Sequence, residues 1–384
     1  MKILFVNHLL DSVTGGGTAE RTFQLARYMA RDGHDCSILT LDIGVNTDRR
    51  ADLPGVEVHA LPCLNKRFFV PRASGAQIRR LVASADVVHL SGHWTLLNAM
   101  AYLTCKQTRT PYLFCPAGAL GLFGRSLLLK CAYEAWFGRA MLRDAAYCVA
   151  ITEDESGLFR DRGVAPQRVA VIPNGIDPQL YDAPDRDRSL ALLRQSLNLG
   201  SAPFLLFLGR LSEIKGPDIL LEAFAMVASR WPDHQLVFAG PDDGLQAGLQ
   251  ARAQALGLAE RVHFAGFLGG SAKAVALHGA AMLVIPSRRE AMSIVVLEAG
   301  MCDCPVLFTN ACGLETLARD GAGIEVEVSA HAIAEGIGQV LGDLPAAANR
   351  AEVLKGQVQT RFLWSGQARR YAALCAQISE DMTQ

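Results

Sequence analysis

The sequence predicts an α/β protein made of two doubly wound parallel sheets in tandem. Three observations carry this. Short apolar runs alternate with helix-period stripes along nearly the whole chain. Glycine-rich loops follow several of those runs and open the next helix. The alternation breaks once, near residue 180, and then restarts. Apolar runs buried on both faces mark parallel strands, and a parallel strand needs a crossover, usually a helix, to return the chain.

In the first half, the run at 2–7 is a strand, followed by Gly15-Gly16-Gly17 and a helix over 18–31 whose stripe is Phe23, Leu25, Ala26, Met29 and Ala30. Gly33 stops it and 36–41 is the next strand. Further strands are expected at 85–90, 112–115, 147–151 and 169–172, with helices at 96–105, 127–141 and 153–162. Residues 178–203 hold Pro178, Pro184, Pro203 and the charged stretch Asp185-Arg186-Asp187-Arg188, which reads as a linker. In the second half, strands are expected at 204–208, 235–239, 262–264, 282–285, 306–309 and 323–326. Helices are expected at 217–230, 245–256, 272–278, 294–301, 330–341, 347–362 and 366–379. The domains are therefore 1–180, joined by the last helix from about 366 to 384, and 181–365.

Composition narrows the function. A length of 384 residues suits two domains, and 50% hydrophobic content excludes wholesale disorder. Lys+Arg 37 against Asp+Glu 38 argues against a nucleic-acid-coating protein. No uncharged apolar run reaches the ~18 residues of a spanning helix. The start reads as a buried strand rather than a signal peptide, and the 10 scattered Cys as reduced core thiols, so a cytoplasmic setting is expected.

Ligands of open parallel sheets bind outside the carboxyl ends of the strands, which directs attention to the loops there. Gly15-Gly16-Gly17-Thr18 has neither the dinucleotide fingerprint nor a P-loop Lys-Ser/Thr. It is either a tight turn or a helix start that admits an anion. Arg210 and Lys215 lie on the loop after the strand at 204–208, before a helix with Pro217 in its first turn. A guanidinium fork, a mobile ammonium and a helix dipole together suit a diphosphate; two solvated surface cations are the alternative. Glu290 follows a strand end, and Glu298 sits in an otherwise apolar helix stripe, where a hydrogen-bonding role competes with a solvated face. Asp185-Arg186-Asp187 has a metal-binding form but lies in the linker, Asp242-Asp243 reads as a turn, and Cys302-Asp303-Cys304 lacks paired CxxC spacing. His89 and His93 flank a strand end.

Val171-Ile-Pro-Asn-Gly-Ile-Asp177, Gly209-Arg210-x4-Lys215-Gly216 and Glu290-x7-Glu298, in this order along the chain, resemble the signatures of family 4 retaining glycosyltransferases, which have the GT-B fold. The resemblance implies two Rossmann-like domains facing across a cleft, with the C-terminal helix crossing back to the N-terminal domain. It implies that Arg210 and Lys215 bind the diphosphate of a nucleotide-sugar donor, a UDP- or GDP-sugar, and that Glu290 faces the donor sugar. Glu298 would grip the ribose, and Met292, Ser293 and Ile294 would offer N–H groups to the phosphates. Gly16 and Gly17 would approach the donor, and the loop Gly266-Phe267-Leu268 would bear on the base. No cofactor and no metal is expected, and retention would follow from front-face attack. Many relatives carry a His where this chain has Ala117, in Cys115-Pro116-Ala117-Gly118-Ala119 on the acceptor and sugar side, so either His93 or another polar group substitutes for it, or the donor sugar is held differently.

The acceptor is expected to be a glycan or a lipid-linked molecule, as in bacterial surface and exopolysaccharide synthesis. Lys66-Arg67-Phe68-Phe69-Val70-Pro71-Arg72 and residues 123–139 mix cations with bulky apolar groups, as peripheral membrane segments do, and as ordinary amphipathic helices also do. Contact with the inner face of an anionic membrane is the corresponding expectation. A nucleotide-sugar epimerase or a non-catalytic nucleotide-binding protein is the alternative; a changed sugar would mark the first, and NAD binding alone would mark a dehydrogenase-like chain.

Overall fold

In the computed structural model, residues 1–72, 75–121, 126–183 and 185–381 are described. They form two compact units, Met1–Asn174 with Trp364–Gln384, and Gly175–Leu363. The break falls at the end of Val171-Ile-Pro-Asn174 rather than at 180.

The first unit holds strands β1 (Lys2–Val6), β2 (Asp35–Leu41), β3 (Val56–Leu61), β4 (Cys63–Asn65), β5 (Val70–Pro71), β6 (Val87–Ser91), β7 (Tyr112–Cys115), β8 (Tyr147–Ala150) and β9 (Val169–Val171). Seven of them make one sheet in the order β3-β2-β1-β6-β7-β8-β9, while β4 and β5 form a separate antiparallel pair. β1 is an interior strand, and Ile3 to Val6 are all buried because helices cover both sheet faces. The second unit holds β10 (Phe204–Leu208), β11 (Gln235–Ala239), β12 (Val262–Gly266), β13 (Met282–Ile285), β14 (Val306–Thr309) and β15 (Ile324–Val326). They form a sheet in the order β12-β11-β10-β13-β14-β15, and every recorded pairing is parallel.

Several expectations need correction. The sequence pattern gives no strand or helix between 42 and 84, yet these residues contain β3, the β4–β5 hairpin and the helix Gly75–Ser84. That hairpin is too short for a periodic signal. The stretch read as a linker folds into the helix Arg186–Ser196, preceded by a 3-10 turn, Pro178–Tyr181. Its high charge masked it, because none of its residues is fully buried. The helix at 127–141 is instead α-helix Leu127–Tyr133, a π-helical turn Glu134–Gly138, and α-helix Arg139–Asp144. The first helix begins at Ser12, not 18, and is broken at Gly16 (φ 58°, ψ −147°). The last helix, Trp364–Asp381, packs on that first helix and belongs to the first unit through buried Trp364, Ala368, Tyr371, Cys375 and Ile378.

Candidate active site

Each sheet has a point where the order of strand connection reverses, and there the loops leaving adjacent strand ends diverge and leave a crevice. In the second unit it lies between β10 and β13. The loop after β10 carries Arg210 and Lys215, and the loop after β13 carries Ser287, Arg288, Glu290 and Ser293. Parallel pairing of β10 with β13 sets these loops side by side, and the Arg288 N–H donates to the Ile214 carbonyl at 2.8 Å.

The side chains then converge. Lys215 Nζ lies 2.9 Å from Glu290 Oε2, and Ser287 Oγ donates to Glu290 Oε1 at 2.5 Å. Glu290 is therefore held at both oxygens, and its own N–H donates to the Ala311 carbonyl at 2.7 Å. Gly216 is required by the approach of the loops: its φ is +68°, and a Cβ there would lie 2.2 Å from the Pro286 carbonyl oxygen. Gly240, after β11, meets the same demand, since a Cβ would fall 1.8 Å from the Gly209 oxygen. Arg288 pairs with Asp218 at 2.6 Å and is turned away from Glu290's carboxylate contacts. Arg210 is exposed and makes no ion pair among the described residues, leaving its fork available to an anion.

Glu298 lies in the helix Ile294–Met301 and is buried. Lys273 Nζ holds its Oε1 at 2.6 Å, while Oε2 is buried without a hydrogen-bond partner. The Ser293 hydroxyl is also buried and unpartnered. A buried acceptor and a buried hydroxyl with nothing to bond are costly unless a ligand supplies the partners. One expectation changes here: the Ser293 N–H is already committed to the Cys312 carbonyl at 3.0 Å. Of the backbone donors named, Ile294 opens the helix, and Met292 is buried beside it. Phe267 is 57% exposed on the loop after β12, and Leu268 is partly buried.

In the first unit the reversal lies between β1 and β6. Asn7, just past β1, donates from Nδ2 to the Thr18 carbonyl at 3.1 Å and to Thr22 Oγ1 at 2.9 Å, which pins the helix behind the Gly16 break to the strand end. Gly16 and Gly17 are exposed, and nothing lies within 4 Å of a Cβ built on Gly16. Arg21, from the same helix, is fully buried. It donates to Ile172 O (2.6 Å), Asn174 Oδ1 (2.9 Å) and the Tyr371 hydroxyl (2.9 Å), so one guanidinium ties the first helix to the stretch after β9 and to the last helix.

His93 does not reach solvent: its side chain is 0% exposed, and Nε2 bonds Glu134 Oε2 at 2.8 Å. This corrects the expectation that it takes the place of the missing family His. Ala117 stands at φ +50°, a conformation unusual for a residue with a Cβ, and the following Gly118 N–H donates to the carboxylate of Glu155. Glu155 also accepts from the Ile151 N–H at 2.8 Å, and burial pushes its carboxyl above the usual range. Sequence reasoning missed Glu155, Lys273, Ser287, Arg21 and Glu134. The only signal each gave was a polar residue within or beside an apolar stripe.

Of the basic-aromatic segments, Phe123–Arg125 lie outside the described residues. Leu127, Leu128, Leu129 and Trp136 are 50%, 88%, 60% and 74% exposed. At the β4–β5 tip Phe68 is exposed, whereas Phe69 packs edge-on against His8. Among the described residues no helix is long and apolar enough to cross a membrane.

Comparison with known proteins gives one answer for both halves. Residues 16–175 match the glycosyl transferase 4-like domain and residues 191–354 match glycosyl transferases group 1. The chain is 30% identical over 387 residues to D-inositol 3-phosphate glycosyltransferase 1 of Catenulispora acidiphila, covering 94% of this chain and 90% of that protein. It is 32% identical over 243 residues to the D-inositol 3-phosphate glycosyltransferase of Geodermatophilus obscurus, covering 60% of this chain and 50% of that one. The fold matches HepE of Anabaena, solved with UDP and glucose, with a TM-score of 0.79 at 20% identity over 98% of this chain and 100% of that one. With these matches to its two sheets and their loops, the chain belongs to the family 4 glycosyltransferases of the GT-B fold.

Proposed function

We propose that the enzyme moves a sugar from a UDP- or GDP-sugar to a glycan or lipid-linked acceptor, with retention of configuration, in the synthesis of a polysaccharide or glycoconjugate. The observation that carries the donor half is the Lys215–Glu290–Ser287 arrangement beside unpaired Arg210 at the β10/β13 reversal. Arg210 and Lys215 take the diphosphate, and Glu290 both orients Lys215 and faces the sugar. Glu298 accepts from ribose hydroxyls through its free Oε2, steadied by Lys273. The Ile294 N–H at the helix start and Met292 line the phosphates, Phe267 and Leu268 border the base, and Gly16 and Gly17 leave room for a phosphate.

The C1–O bond to the diphosphate breaks while the acceptor oxygen bonds to C1 from the same face, and the acceptor proton passes to a donor phosphate oxygen. The cations and helix dipole stabilise the departing diphosphate where its charge grows, so no bound metal is needed. A second acceptor, an inositol phosphate, is favoured by the names of the Catenulispora and Geodermatophilus relatives. The setting is cytoplasmic, at the inner face of an anionic membrane for a lipid-linked acceptor; the exposed Leu127–Leu129 and Trp136 support that contact.

The test is acceptor-free hydrolysis across UDP-, GDP- and ADP-sugars. Slow hydrolysis of one UDP- or GDP-sugar is expected. No hydrolysis of any, together with no thermal shift from UDP or GDP, would refute the donor assignment.

A further inference from the structure

The carboxyl end of β6 carries a second constellation that the donor chemistry leaves unused. His93, two positions beyond Ser91, is fully buried; its Nε2 bonds Glu134 Oε2 at 2.8 Å and its Nδ1 has no partner. Glu134 opens the π-helical turn Glu134–Gly138. Such turns carry one residue more than an α-turn, are uncommon and cluster at functional sites. Gly138 closes it, and a Cβ there would lie 2.2 Å from Glu134 Oε2 and 3.0 Å from His93 Cε1. The wide turn, the absent side chain and the buried imidazole all serve one carboxylate.

That carboxylate is not sealed in. Its side chain is 11% exposed, and Oε1 makes no hydrogen bond among the described residues. Burial pushes the carboxyl up, but the hydrogen bond and charge of His93, with the charges of Arg162 and Arg139, outweigh it and hold the group below its ordinary value. It is therefore an acceptor-only group at neutral pH. The aromatic surroundings are equally ordered: Trp94 lies edge-on to His93 at 4.3 Å and to Tyr133 at 5.7 Å between ring centroids, and Trp94 is partly exposed. A fixed carboxylate, bonded to a histidine that borders a partly exposed indole, is a chemistry that recognises polyhydroxylated rings, the carboxylate taking hydroxyl protons.

We propose that Glu134 is a recognition residue for the hydroxyl groups of the acceptor, presented by His93 as its positioning residue and by the π-helical turn, beside Trp94. This rests on the glycosyl-transfer reading above and adds the group that selects the acceptor.

The test measures binding to the full chain by ligand-observed NMR. The probes are methyl α-D-glucopyranoside, methyl α-D-mannopyranoside, methyl β-D-galactopyranoside and inositol 3-phosphate. At least one is expected to bind, and Glu134→Gln, which keeps the shape and removes the charge, is expected to weaken it by about tenfold. The thermal shift given by UDP should be unchanged in the variant. Should Glu134→Gln not fold, Glu134→Asp is read in the same way, since it draws the charge back by one methylene. Binding of no probe, or equal binding by wild type and a folded variant, overturns the inference. Donor hydrolysis without acceptor reads the transfer chemistry separately, so hydrolysis that proceeds alongside equal probe binding refutes the role of Glu134 alone.

Discussion

At the residue scale the site turns on how Lys215 is held. Its side chain is 26% exposed and that of Glu290 11%, so the pair is partly screened and contributes little to folding. Its worth is in orientation, because Ser287 fixes the second oxygen of Glu290 and leaves Lys215 one preferred place. Lys215→Met is therefore expected to lower kcat/KM by roughly 100- to 1000-fold, the scale of removing a preorganised charge from a leaving group, while the melting temperature stays nearly unchanged. Steady-state kinetics with thermal denaturation check this; undiminished turnover would remove Lys215 from the site. The places of Arg210, Lys215 and Glu290 on loops after strands were legible from the sequence, and that of Glu298 from its position in an otherwise apolar helix stripe. Lys273 and Ser287 were not, since the contacts that give them meaning exist only after β10 and β13 lie side by side. The loss of the Ser293 N–H to Cys312 was equally invisible, because its partner lies on the loop after β14.

At the element scale, the strands legible in the sequence were short apolar runs between helix-period stripes, fully buried in β6 and β7 and partly buried in β9 and β15. The hairpin at Cys63–Pro71 and the charged helix Arg186–Ser196 were missed because tertiary position, not pattern, makes them ordered. The docking of the last helix on β6 shows what pattern leaves out. His89 of β6 lies edge-on between Phe5 and Tyr371, at 5.4 and 5.1 Å between centroids. Burial, aided by the charge of Arg21, lowers its pKa from 6.5 to about 3. Between those values the unfolded chain binds a proton that the native chain refuses. The stabilising contribution is thus complete above the ordinary value and is lost as pH falls from 6.5 toward 3. His89→Asn removes this term, whereas His8, shifted the same way to about 4, is common to both proteins. From neutral pH to about pH 4.5, wild type is expected to lose about 2.5 kcal/mol more unfolding free energy than the variant, at about 1.4 kcal/mol per pH unit below 6.5. Urea titrations across that range check it, and parallel losses in the two proteins would show that His89 titrates normally.

At the scale of the whole molecule, a net charge of −1 conceals an uneven surface. Exposed Leu127, Leu128, Leu129 and Trp136 lie along one short stretch with Lys130, whose ammonium stands 5.6 Å over the Trp94 ring, and with exposed Arg139. A protein in water alone gains nothing by leaving Leu128 88% exposed; transfer of such a side chain to an apolar phase is worth about 1.5–3 kcal/mol. Leu64, Lys66, Arg67 and Phe68 repeat the mixture at the β4–β5 tip. Apolar groups ringed by cations match an anionic lipid interface, whose charge draws each Lys or Arg with about 1 kcal/mol. The protein is therefore expected to co-sediment with phosphatidylglycerol vesicles and not with phosphatidylcholine vesicles, with binding that weakens as salt rises. Leu128→Asp should reduce the vesicle-bound fraction by about tenfold, because one apolar anchor is replaced by a charge the surface repels. Hydrolysis of the donor in solution should be unaffected, since Leu128 is exposed and is not among the groups assigned to the donor. Equal recovery of wild type and Leu128→Asp on anionic vesicles would show that these leucines do not meet the lipid.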